Sequence, residues 1–242
     1  MLRIIVFFSL MCFAQQQWAQ GFAFGAKGGL TLGVQDWNGF EQDPLFKYHG
    51  ILFIESLTEE TGLSIFAQAG YHVKGSAIRN QIAFGLLNNN QVFRLPPREF
   101  QFKNISLTVG AKKKYDIGGS RQAYYLFGIR GDYTVGTNLE QYELFTELYN
   151  TLIFPINGFV QEFNYGATLG GGLEFPIAEL VGTVLEFTIN PDFSYQYRQP
   201  QINAVYNPYT GNNSSIGERL IRNLTIEVTA GFRFLRKIEY ID

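Results

Sequence analysis

Cysteine is nearly missing from this 242-residue chain, since the one copy, Cys12, falls within the first twenty residues. Everything after it is therefore without a disulfide, a thiol nucleophile or a cysteine metal site. Histidine is scarce too, with two copies, His49 and His72. The formal net charge is -2, from 19 Lys and Arg against 21 Asp and Glu, which gives no electrostatic reason to expect nucleic acid as a partner. Long apolar runs are lacking as well: beyond residue 20 nothing approaches the roughly 18 consecutive apolar residues of a membrane helix. The first twenty residues differ in kind. Arg3, an apolar run from Ile4 to Phe13 and a polar stretch ending Trp18-Ala19-Gln20 have the layout of a secretory signal peptide, with cleavage expected beside Ala19. Ser9-Leu10-Met11 lacks the small residue that lipidation of Cys12 would want directly before it. Residues 1–19 are thus read as a signal and 20–242 as one domain.

What the chain has in quantity is Gly (26), Phe (23) and Tyr (14), a composition that suits a β protein. The stretch Gln122–Val135, QAYYLFGIRGDYTV, alternates over its whole length: Ala123, Tyr125, Phe127, Ile129, Gly131, Tyr133 and Val135 share one face, with Arg130, Asp132 and Thr134 on the other. A period of two is a strand signal. Ordinary strands run about 5–6 residues, whereas a tilted membrane-crossing strand needs about 9–11. Similar stretches run from about Phe22 to Val34, Leu45 to Glu55, Gly62 to Lys74, Phe100 to Lys113, Phe163 to Phe175, Thr183 to Tyr197 and Asn223 to Phe234. In the fourth, the apolar parity changes between Phe100 and Phe102 on one side and Ile105 and Leu107 on the other, which predicts a β-bulge near Asn104.

Short links (57–61, 115–120, 176–179) alternate with long ones (36–44, 75–97, 136–157, 198–217). The pattern predicts an all-β, eight-stranded antiparallel up-and-down transmembrane β-barrel with periplasmic termini, short periplasmic turns and four long outer loops. A soluble barrel would turn its apolar face inward; here the large apolar side chains share one face and the charges collect on the other, inside-out for water. Outer-membrane lipids are the expected surroundings.

The inward face is expected to carry Lys27, Lys47, Lys74, Lys112, Arg130 and Arg233 against Glu55, Asp132, Glu162, Glu174, Glu186, Asp192 and Glu227. Opposite charges in so narrow a lumen should pair, giving a plugged polar core, with a thin ion path as the alternative. His49 and His72 point inward on neighbouring strands. A metal or catalytic site would need a third group at their level, and Lys47 and Lys74 discourage a metal, so they read as core histidines with no cofactor implied. No Ser-His-acid set falls on one lipid-facing wall, which argues against a lipid-modifying enzyme. Lys112-Lys113-Lys114 reads as a solvated or headgroup-contacting run. In the long loops, Tyr142, Phe145 and Tyr149 fall at helical spacing within Leu139–Tyr149, and 75–97 carries Phe84, Leu86, Leu87, Val92 and Phe93. Both are expected to lie over the mouth or to meet a partner protein.

The opening Phe24-Gly25-Ala26-Lys27-Gly28-Gly29-Leu30, the segment Gly70-Tyr71-His72-Val73-Lys74-Gly75 and Ile105–Lys112 (ISLTVGAK) resemble the small Bacteroidota outer-membrane β-barrels of the PorT type. The resemblance spans the chain after the signal. It implies a non-enzymatic barrel and partners in the outer membrane or in the type IX secretion system, and it maps no functional residue.

Overall fold

The structure, a computed structural model, describes residues 21–37, 42–57, 62–84, 92–143, 154–206 and 211–237. In chain order the strands are β1 (Gly21–Trp37), β2 (Asp43–Leu57), β3 (Leu63–Ile78), β4 (Ile82–Phe84), β5 (Val92–Arg94), β6 (Arg98–Gly118), β7 (Arg121–Thr137), β8 (Phe163–Ala178), β9 (Val181–Pro191), β10 (Tyr197–Gln199), β11 (Ile202–Tyr206), β12 (Asn213–Ile216) and β13 (Arg219–Lys237). The wall runs β1-β2-β3-β6-β7-β8-β9-β13, all antiparallel, and β1 pairs back with β13, so the sheet has no free edge. This is the eight-stranded up-and-down barrel that the alternation predicts. β10 extends the outer end of β13, and β4–β5 and β11–β12 form separate hairpins within long connections. The proposed signal lies outside the described residues.

Register fixes the shape. Stepping between partners from Gly25 leads through Phe53, Gln68, Thr108, Arg130, Gly166 and Asp192 to Asn223. The direct partner of Gly25 on β13 is Arg233, so the ring closes with a ten-residue stagger. Such stagger tilts the strands by roughly 35–45° and leaves an eight-stranded interior just wide enough for side chains.

Within the band that faces lipid, polarity is inverted relative to a soluble domain. Leu30, Leu52, Ile65, Leu107, Phe127, Ile129, Phe187 and Val228 are exposed on the outside, Ile129 at 70%. In water that surface would aggregate; in hydrocarbon it costs nothing, while every strand amide is satisfied by the closed ladder. Tyr48, Tyr133 and Tyr165 toward the outer end, and Tyr115 and Tyr125 toward the end bearing Gly21 and Lys237, are exposed at the two rims.

The predicted change of parity in the fourth stretch is not a change of backbone facing. Phe100 and Phe102 are fully buried, on the same inward face as Asn104, Ser106 and Thr108. The register does shift at this level, but the extra residue is on β7: Lys103 pairs with Gly136 and Asn104 with Thr134, which leaves Val135 unpaired. Above the membrane the outer surface meets water, so the interior there becomes apolar. Trp37, Ile78, Phe100, Phe102, Leu139, Tyr142, Phe154, Tyr197 and Ile221 form one cluster that closes the mouth. The predicted loop helix begins at residues 140–143, with Leu139 and Tyr142 in that cluster; Phe145 and Tyr149 lie outside the described residues. So do Leu86 and Leu87 of the 75–97 loop, whose first residues lengthen β3 to Ile78 and whose described remainder pairs as β4 and β5.

Candidate functional site

Below the mouth the lumen is built in layers, each assembled from strands far apart in sequence. Uppermost is an amide and hydroxyl layer. Gln35 donates to Asn223 (2.7 Å), Gln196 donates to Thr134 (2.9 Å), and Thr134 donates to Asn104 (2.8 Å). Beneath it, Lys74 on β3 bridges Asp132 (2.8 Å) and Asp192 (2.9 Å), and Arg130 on β7 reaches the same two carboxylates at 3.0 and 2.6 Å. Two cations and two anions thus form a closed square. The side chains of Lys74, Asp132 and Asp192 are 0% exposed and that of Arg130 2%, so a water-sized sphere scarcely touches this level.

The next layer holds the histidines. His72 Nδ1 is 2.7 Å from Glu227 Oε1; His49 lies 2.9 Å from the hydroxyls of both Thr31 and Thr229; and the two rings stack at 5.5 Å and 12°. Lower still, Lys27 pairs with Glu186 at 2.5 Å, and Tyr124 donates to the same carboxylate at 2.7 Å. Gly172 makes room for that phenol, because a Cβ there would sit 2.5 Å from its oxygen. Nearest the end bearing Gly21 and Lys237, Lys112 and Lys114 hold Glu55 at 2.8 and 2.5 Å, Lys114 also reaches Glu174 at 3.0 Å, and Arg233 bridges Glu174. Lys112 is boxed by Phe53, Phe66 and Tyr124, with its ammonium 4.6 Å from the Tyr124 ring centre, so its charge is met by ring faces as well as by Glu55.

Most of the expected lumen set therefore meets inside: Lys27, Glu55, Lys74, Lys112, Arg130, Asp132, Glu174, Glu186, Asp192, Glu227 and Arg233. Two members do not. Glu162 is exposed, because wall pairing ends at Tyr133 with Phe163, and it accepts instead from the Tyr133 hydroxyl at 3.1 Å. Lys47 lies within the register shift of β2 against β3 between Pro44 and His49 and turns to Glu99 at 2.7 Å, beside the outer extension. The lysine run is corrected as well: alternation carries Lys112 and Lys114 inward, and only Lys113 faces out. Tyr124, Gln196 and Lys114 are network members that sequence reading missed, although their parity with Arg130, Asp192 and Lys112 was the available signal. Both histidines of the chain are interior, so neither reaches the lipid-facing wall.

No protein-family profile and no curated protein matches this sequence. Solved structures do resemble it. The Neisserial surface protein A aligns over 88% of this chain and 96% of its own at 11% identity with a TM-score of 0.49. OprG of Pseudomonas aeruginosa aligns over 89% and 98% at 13% identity and 0.46. The outer-membrane protease OmpT of Escherichia coli aligns over 90% and 98% at 9% identity and 0.41. With each of these scores below 0.5, the assignment rests on the closed register and the inverted polarity of the wall. The protein is an outer-membrane-type β-barrel.

Proposed function

We propose that this chain is a non-enzymatic outer-membrane barrel, akin to the PorT type, that serves as a structural or protein-secretion-associated component and works through its outer loops and periplasmic turns. The observation that carries the reading is the Lys74–Arg130–Asp132–Asp192 layer, whose side chains leave almost no water-accessible surface and which lies beneath an apolar mouth. A lumen filled in this way offers a solute no route, and its interior histidines offer a membrane lipid no catalytic group. What remains available is the wall, for lipid, and the loop surfaces, for other outer-membrane or secretion-system proteins.

The test is a deletion strain. Export or assembly of other surface proteins should fall, with small-solute uptake unchanged. Leu139, Tyr142 and Phe154 close the mouth, so trimming should be confined to residues 144–153; it should reproduce part of the defect while the barrel still inserts. Normal export combined with loss of uptake of one solute would reject the proposal in favour of a transporter. A second reading, a narrow proton path, draws on the succession of ionisable groups from Asp192 down to Glu174. It requires pH-gradient dissipation in liposomes that Arg130→Ala alters.

A further inference from the structure

We propose that His49, His72 and Glu227 form a binding site for one divalent transition-metal ion of the zinc class, clasping the seam at which the barrel closes. Each of the three offers a ligand atom, and these atoms lie within 4.8 Å of one another, all buried. Two imidazoles and a carboxylate are the nitrogen and oxygen set that borderline divalent ions take. Metal bonds of about 2.0–2.2 Å would draw the three donors to roughly 3–3.5 Å apart, a contraction within reach of side-chain rotation.

Charge accounting singles out Glu227. Among the described residues, Glu55, Asp132, Glu174, Glu186 and Asp192 each have a Lys or Arg nitrogen within 3.0 Å. The bridge to Glu227 comes from His72 instead. The lysines that weighed against a metal are committed elsewhere, Lys74 to Asp132 and Asp192 and Lys47 to Glu99. Lys27 and Arg130, the cations of the adjoining layers, are likewise held by Glu186 and by the two aspartates.

The surroundings suit a metal's outer shell. The Thr31 hydroxyl lies 2.9 Å from His49 Nδ1 and 3.5 Å from Glu227 Oε1; Thr229 lies 2.9 Å from His49 Nε2; and Thr188 donates to Glu227 Oε2 at 3.5 Å. The hydroxyl at whichever His49 nitrogen binds the ion must turn aside, and the remaining neutral partners orient the ligands without competing for the ion's charge. The two rings stack at 5.5 Å and 12° from parallel, which sets their nitrogens at one level of the lumen. His49 is on β2, His72 on β3 and Glu227 on β13, so an ion held by all three would tie the first strands of the chain to the last across β1.

Because the layers above and below exclude water, the ion must enter as the barrel folds. The full chain, purified from outer membranes, is unfolded in urea and refolded into detergent with Zn2+ or with a chelator, after which free metal is removed. Refolding with Zn2+ should leave one zinc per chain and raise the melting temperature by about 5 °C over the chelator-refolded protein. His72→Gln and Glu227→Gln should abolish both effects. Co2+ in place of Zn2+ should give visible d–d absorption. Absence of retained metal and of a melting shift in the wild-type protein would overturn the site, as would equal retention in Glu227→Gln. Should the variants fail to refold, the Co2+ spectrum of the wild-type barrel decides, and its absence rejects the site.

Discussion

Two levels of one interior are packed by opposite chemistry. At the mouth, Trp37, Phe100, Phe102, Tyr142 and Phe154 fill the lumen with rings, whereas a few residues lower Lys74, Arg130, Asp132 and Asp192 fill it with charge. β6 lines both levels on one alternation, with Phe100 and Phe102 above and Asn104, Ser106 and Thr108 below. The difference lies outside the wall: where the outer face meets water, the interior is the dry side, and where it meets lipid, the apolar side chains are spent on the exterior. A strand of this kind cannot be oriented from hydrophobicity without knowing which solvent surrounds each of its turns.

The comparison breaks most visibly at the charged level. Arg130→Ala leaves Asp132 and Asp192 to share the single charge of Lys74 and should cost about 3–5 kcal/mol, read from urea unfolding of the detergent-solubilised barrel. A loss below about 1 kcal/mol would mean that water enters the layer and solvates the carboxylates. At the mouth, Phe100→Ala should cost about 3–4 kcal/mol through the cavity it opens beside Trp37, Tyr142 and Phe154, with no dependence on salt.

On the outer wall, Phe127→Arg should cost about 2–4 kcal/mol near the middle of the membrane. Thr134→Ser inside, which retains the hydroxyl that bonds Asn104 and Gln196, should stay below about 1 kcal/mol. Similar losses at these two positions would show that the faces are assigned the wrong way round.

The smallest effect belongs to the outer extension. The Lys47 ammonium, donating to Glu99, holds that carboxyl below its ordinary value of 4.5. The folded form thus binds this proton less readily than the unfolded chain. The pair's contribution is present above pH 4.5 and is lost as pH falls through the depressed value. The pair is partly exposed, so solvent screens it and it is worth about 0.2–1 kcal/mol. Lys47→Ala should therefore destabilise slightly at pH 7 and not at all near pH 2.

The eight strands and their facing were legible because a period of two survives in sequence whatever the strands pair with. The contents of the lumen were legible only as a list. Lys27 meets Glu186, and Lys74 meets Asp192, across a barrel whose stagger no single strand records. Two positions failed where strand geometry changes toward its ends: Glu162 just beyond the last wall pair, and Lys47 within the shift in β2. Phe100 and Phe102 misled for another reason, since their apolar character reports where the strand leaves the lipid and not which way it faces. Glu227 could not be joined to the histidines from sequence, because β13 reaches them only once the ring has closed.

The claim on which the rest depends is that this lumen is shut, and conductance in planar bilayers tests it most directly. The purified barrel should insert, as judged by heat-modifiable migration on gels, and show no current steps over background at neutral pH. Steady, ion-selective steps from the wild-type protein, reduced or reshaped by Arg130→Ala, would contradict the account.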